Sequence, residues 1–131
     1  MFPYPQPVVP SLQARVHPDE WQARLQLAAC YRVFATLGWT EMIYNHITAR
    51  VPGEEGHFLI NPFGFLYEEI TASCLFKIDL DGRVVERPDL PYEVNRAGFV
   101  IHSAVHAARH DVDCVIHTHT RAGMAVSVME C

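Results

Sequence analysis

The stretch Cys114-Val115-Ile116-His117-Thr118-His119-Thr120 carries the strongest signal in the chain. Its apolar and β-branched residues predict a short strand over 114–118. Side chains two apart on a strand share a face. His117 and His119 therefore project together from one rigid element. Two imidazoles so placed can share one ion, and zinc accepts His nitrogen at about 2.0–2.1 Å. Catalytic zinc sites use three protein ligands, so the pair is not a complete site. Taken alone, a His-x-His pair is weak evidence for metal, and a polar strand end is the plainer alternative.

The segments on either side predict helices. Upstream, residues 96–109 repeat apolar residues at helical spacing: Ala97, Val100, Ile101, Ala104, Val105 and Ala108. Asn95 suits the N-cap. Downstream, 120–129 predicts the start of a third helix. Further back, 47–51 and 57–61 predict two strands around Pro52-Gly53-Glu54-Glu55-Gly56, and 75–80 with 83–86 a hairpin around Asp81-Gly82. A first helix is expected over 18–37, with Pro18 in its first turn and Asp19 and Glu20 at its positive end. Leu27, Cys30, Tyr31, Phe34 and Leu37 form its core stripe, and Gly38 ends it. Pro3, Pro5, Pro7 and Pro10 mark residues 1–16 as an extended arm, disordered or wrapped on a neighbouring subunit, ahead of a domain over 17–131. The ending at Met129-Glu130-Cys131 carries no helix-stop signal, so the domain is expected to be incomplete.

The chain has 131 residues, half of them hydrophobic, which suits one domain with one core. Its formal net charge is -5 and it has no Lys/Arg cluster, which argues against nucleic acid and an acidic membrane surface as partners. Cys30, Cys74, Cys114 and Cys131 form no C-x-x-C pair and sit among apolar neighbours, as reduced, buried thiols do. No signal peptide or membrane-spanning run is visible, and the cytoplasm is the expected location.

Other groups could do chemistry. His102, His106 and His110 fall four apart on the predicted second helix, opposite its apolar stripe. A solvated or interface face is the expected reading, although one of them could reach His117 and His119. Glu68, Glu69 and Glu93 lie in loops, where surface or capping roles are expected. Asn45 and Asn61-Pro62-Phe63-Gly64 are loop elements that can offer polar groups to an anion. No P-loop, nucleotide fingerprint or nucleophile elbow is present.

Several blocks, taken together, resemble the class II aldolase/adducin family. They are Leu27-Ala-Ala-Cys-Tyr-Arg-Val-Phe-Ala35, Tyr44-Asn-His-Ile-Thr48, Leu59-Ile-Asn-Pro-Phe-Gly64, Ile78-Asp-Leu-Asp-Gly-Arg-Val-Val85, Gly98-Phe-Val-Ile-His-Ser-Ala-Val-His-Ala-Ala-Arg109 and Cys114 through Thr120. The resemblance covers about residues 20–131. It implies a three-layer α/β/α sandwich around a mainly antiparallel sheet. It implies zinc or a related divalent ion held by three histidines, of which His117 and His119 match two and the third lies beyond Cys131. It also implies a small carbonyl substrate contacted by Asn45 and Gly64, a lyase reaction of the aldolase type, and a homo-oligomer.

Two departures qualify that expectation. The family's acid–base Glu falls at Gly98, and the two serines before it become Arg96 and Ala97. Glu93 stands five residues early, so the role does not transfer to it. The Ala97-Gly98-Phe99 version is similar to the adducin-like branch. Two functions stay open: a metal-dependent aldolase-type lyase or a truncated relative of one, and a non-catalytic adducin-like assembly module.

Overall fold

The computed structural model describes residues 8–130. Three layers are present. Helix α1 (Pro18–Thr36) covers one face of a five-stranded sheet, and α2 (Arg96–Ala108) covers the other. The strands are β1 (His46–Arg50), β2 (His57–Ile60), β3 (Phe76–Asp79), β4 (Val84–Glu86) and β5 (Cys114–His117), in spatial order β4-β3-β2-β1-β5. Every neighbouring pair is antiparallel. Helix α3 (Arg121–Ser127) follows β5 and is exposed along its length. The expected α/β class, the antiparallel sheet and the order of elements are all present, with strand and helix ends within a residue or two of those expected.

The alternation of side chains on the strands sorts residues between the two faces. Ile47 and Val51, Leu59, and Tyr31 and Leu27 of α1 form one core cluster. Phe58, Ile60, Phe76 and Ile78 form the other, with Phe99 of α2 packed on it. Tyr31 also pins α1 to β1, because its hydroxyl lies 2.5 Å from the Ile47 carbonyl and accepts from the Ile47 N–H at 2.9 Å. Charged residues are buried on the α1 side as well. Arg24 and Glu20 are fully buried and paired at 2.8 Å, and Glu20 also binds Lys77 of β3 at 2.8 Å.

Four expectations change. First, α2 is turned over. Val100 and Ile101 are 61% and 58% exposed, whereas His102 and His106 are 1% and 0% exposed and face the sheet. Ala104 and Ala108 are also exposed, and Val105 is half-buried; the side chain of Ala97 lies outside the described part. The cause lies in β1, whose His46, Thr48 and Arg50 all point at α2. A polar strand face needs polar partners. The Thr48 hydroxyl contacts His102 Nδ1 at 2.8 Å and His106 Nε2 at 2.9 Å. Arg50 binds the carbonyls of Arg109 and Val112 at 2.9 and 2.8 Å, and that of His106 as well. Second, α2 ends before His110, which leaves the line of histidines and is exposed.

Third, Leu37 is 52% exposed, because α1 ends at Thr36 and leaves it off the core stripe. Fourth, Cys114 is exposed and Cys30 half-buried; only Cys74 is a buried thiol, and Cys131 lies outside the described residues. Residues 1–7 of the arm also lie outside them. Within residues 8–16, Leu12 is buried and its N–H bonds Ser73 Oγ at 3.3 Å, and Arg15 pairs with Glu86 at 2.5 Å.

Candidate functional site

The register of the sheet assembles a cluster of histidines. His46 of β1 stands directly opposite His117 of β5, so both side chains leave the same face. Their ring centroids are 4.9 Å apart. His119 lies just past the end of β5, and its Nε2 comes within 2.9 Å of His117 Nε2. His102 of α2 packs on His46 with the rings tilted and their centroids 4.3 Å apart. Behind it, the Thr48 hydroxyl joins His102 to His106. A hydroxyl has one proton, so it donates to one ring and accepts from the other.

Burial favours the neutral form of His46, His102, His106 and His117. Burial, and after it the neighbouring His117, lower His46 to about 4. Burial lowers His102 to about 3, assisted by His46 and His106. Burial and then the Arg50 charge lower His106 to about 4. His117 is also lowered, by burial and by His119. Neutral imidazole is the form that binds metal.

His117 and His119 offer the donor set. Two bonds of about 2.05 Å at a tetrahedral angle would put two nitrogens about 3.3 Å apart, close to the separation seen. The other nitrogen of His119, Nδ1, hydrogen-bonds the Glu41 carboxylate. A carboxylate accepts only, so Nδ1 carries the proton and Nε2 keeps its lone pair toward His117. Among the described residues no group of three or more His, Cys, Asp or Glu is arranged to hold an ion.

The other expected residues divide. Asn45 is buried and its side-chain oxygen accepts from the Glu41 N–H. Asn45 thus anchors the loop whose Glu41 holds His119, and its Nδ2 has no hydrogen-bond partner among the described residues. Gly64 has φ +93°, and apart from its chain neighbours only the ring of Tyr92 comes within 4 Å of a Cβ built there. Glu93 is exposed and pairs with Arg87 at 2.7 Å, and Glu69 closes its own turn by accepting from the Leu66 N–H. Gly98 lies against His46: a Cβ there would come within 2.6 Å of His46 Cδ2. A side chain at position 98 and the His46 ring exclude each other. A cleft of about 800 Å³ lies on the α1 side, lined by Cys30, Arg50 and Cys114 among others, and includes none of His46, His117 and His119.

A profile described as the Class II Aldolase and Adducin N-terminal domain matches residues 25–131. The chain belongs to the class II aldolase and adducin family. It is 59% identical over 116 residues to a Pseudomonas aeruginosa protein bearing the provisional name of class 2 aldolase, covering 88% of this chain and 44% of that protein. It is 56% identical over 108 residues to alpha-adducin of Mus musculus, covering 82% of this chain and 15% of that one. Among solved structures, an aldolase II superfamily protein from Pseudomonas syringae superposes with a TM-score of 0.86 at 55% identity, over 92% of this chain and 48% of that one. L-fuculose 1-phosphate aldolase from Glaciozyma antarctica gives 0.77 at 34%, over 92% and 47%. The chain thus spans less than half the length of each of these relatives. Among the described residues, no helix is long and apolar enough to cross a membrane.

Proposed function

We propose that this chain carries the two-histidine half of a divalent-metal centre, with zinc as the first candidate, in an aldolase-type lyase that acts on a small carbonyl compound. The observation that carries the reading is the 2.9 Å approach of His117 Nε2 to His119 Nε2, with Glu41 behind the second ring. His117 and His119 would bind the ion through Nε2, and Glu41 would fix the tautomer of His119. A divalent ion held there supplies Lewis-acid stabilisation to a carbonyl or enediolate oxygen of the substrate. Asn45 holds the Glu41 loop in place; substrate contact by its free Nδ2 and by Gly64 belongs to the same proposal. The likeness to a fuculose-phosphate aldolase at 34% identity supports the substrate class. The test is zinc titration by calorimetry with wild type, His117→Ala and His119→Ala. Binding that is abolished by either substitution is expected; nanomolar binding that survives both excludes this site.

A second reading, a non-catalytic assembly module, draws on a different observation. Val100 and Ile101 of α2 and Met124, Val126, Val128 and Met129 at α3 leave large apolar side chains exposed, and such patches favour association. The likeness to alpha-adducin agrees with it. Under either reading the chain associates with further copies. Light scattering that finds a stable monomer at micromolar concentration counts against association.

A further inference from the structure

His46 is the best-placed polar group that the metal pair leaves unused. It is 3% exposed, yet neither ring nitrogen completes a hydrogen bond among the described residues. The Tyr44 carbonyl lies near enough to influence the ring, without hydrogen-bond geometry. An unsatisfied buried polar group costs free energy and calls for a reason. The ring is also tightly located. His117 meets it edge-on at 4.9 Å, and His102 packs on it with a tilted ring at 4.3 Å. On the remaining side Gly98 has no side chain, and a Cβ there would stand 2.6 to 2.9 Å from three ring atoms, among them Nε2. The fold places a glycine in the first turn of α2, and that glycine gives the His46 ring its room.

We propose that His46 is a ligand-binding residue of the His117–His119 centre, supplying a hydrogen bond to an oxygen of the small carbonyl or carboxylate compound bound there, and that Gly98 is its positioning residue. This rests on the metal reading of His117 and His119. His46 is opposite His117 in register, and its ring is flanked by His102, His117 and Gly98. Its contribution falls on the oxygen compound, and zinc affinity separates this role from ligation of the ion. Neutral imidazole carries one N–H and one lone pair, so it can serve either a carbonyl oxygen or a hydroxyl.

The experiment is a two-stage calorimetric titration. Zinc is added first; then acetohydroxamate, a small chelating mimic of an enediolate, is added to the zinc-loaded protein. Wild type is compared with His46→Phe, which keeps a flat ring and removes both nitrogens, and with His46→Gln, which restores a donor and an acceptor. Zinc affinity is expected to be the same within about threefold in all three, while acetohydroxamate affinity falls about tenfold in His46→Phe and recovers in part in His46→Gln. Gly98→Ala should behave as His46→Phe does. Unchanged acetohydroxamate affinity in His46→Phe overturns the inference and leaves the metal site standing. A tenfold or larger loss of zinc affinity also overturns it, because His46 would then be a ligand of the ion itself. A wild type that binds no zinc overturns the metal reading and this inference together. If circular dichroism shows that His46→Phe does not fold, the comparison of His46→Gln with Gly98→Ala decides: equal and undiminished acetohydroxamate binding overturns the inference.

Discussion

Glu41 holds His119 from the side opposite His117: one ring nitrogen of His119 bonds the carboxylate and the other faces His117 Nε2. The loop carrying Glu41 is fixed in turn by Asn45, which accepts the Glu41 N–H. A carboxylate behind a ligating imidazole sets its tautomer and raises its basicity, and losing such a group typically costs 10–100-fold in metal affinity, by the usual order of magnitude. Glu41→Gln should therefore weaken zinc binding by about tenfold or more. Glu41 is half exposed, so the urea midpoint should hardly move. Zinc calorimetry and urea unfolding on the same preparation check both halves; unchanged zinc affinity would remove Glu41 from the site.

That carboxylate was not legible in the sequence, and the reason is geometric. Glu41 lies 78 residues from His119 in the chain, and no local pattern reports a contact across that distance. The elements themselves were legible, because β1, β2, β3 and α1 bury enough apolar surface to impose their periods. The orientation of α2 was not, since its apolar residues at helical spacing outvoted the histidines. A signal did exist one strand away. His46, Thr48 and Arg50 alternate with Ile47 and Ala49 in β1, and a central strand with one polar face needs a polar helix face to cover it. Reading the pattern of the partner strand would have put His102 and His106 inside.

The contact between Gly98 and His46 yields a stability prediction independent of any ligand. The ring cannot retreat easily, because His102 and His117 flank it. Gly98→Ala should destabilise by about 1–3 kcal/mol, the usual range for overpacking, although alanine is the better helix former. In a His46→Ala background the same substitution should cost little or should stabilise. A double-mutant cycle by urea unfolding measures this coupling. Additive effects would mean that the two residues do not compete for space.

Acid should destabilise this fold through its buried histidines. His102 and His106 ionise at about 3 and about 4 in the folded chain, against an ordinary value of 6.5, chiefly because burial disfavours the charged form. Both are lowered, so they contribute nothing above the unfolded value, where both states are neutral. As pH falls below 6.5, the unfolded chain takes up protons that the folded chain cannot hold until pH approaches 4 to 3. Stability therefore falls with pH across that window, by at most about 1.4 kcal/mol per pH unit for each group. The urea midpoint should drop between about pH 7 and about pH 5, and less steeply in His106→Phe, whose ring can stack on Phe58 as His106 does. A midpoint that rises on acidification contradicts the assignment.

The buried ion pair on the α1 side makes the last prediction. Arg24 Nε binds Glu20 at 2.8 Å, and its Nη1 binds the Leu75 carbonyl at 2.7 Å and the Ala72 carbonyl at 3.3 Å. Glu20 reaches Lys77 with its other oxygen, and Lys77 reaches Glu54 at 2.9 Å. The network thus ties α1 to β3 and to the turn after β1. Removing one buried partner leaves the other charge uncompensated, which typically costs about 3–5 kcal/mol. Lys77 still faces Glu20, so Arg24→Met should fall near the lower end, about 3 kcal/mol. Replacing both members removes the stranded charge. The double variant Glu20→Leu with Arg24→Met should therefore be more stable than Arg24→Met alone, while Lys77 keeps Glu54. Urea unfolding of the three proteins separates the cases: a double variant less stable than the single one would show that the Glu20–Lys77 contact, and not the stranded charge, sets the energetics here.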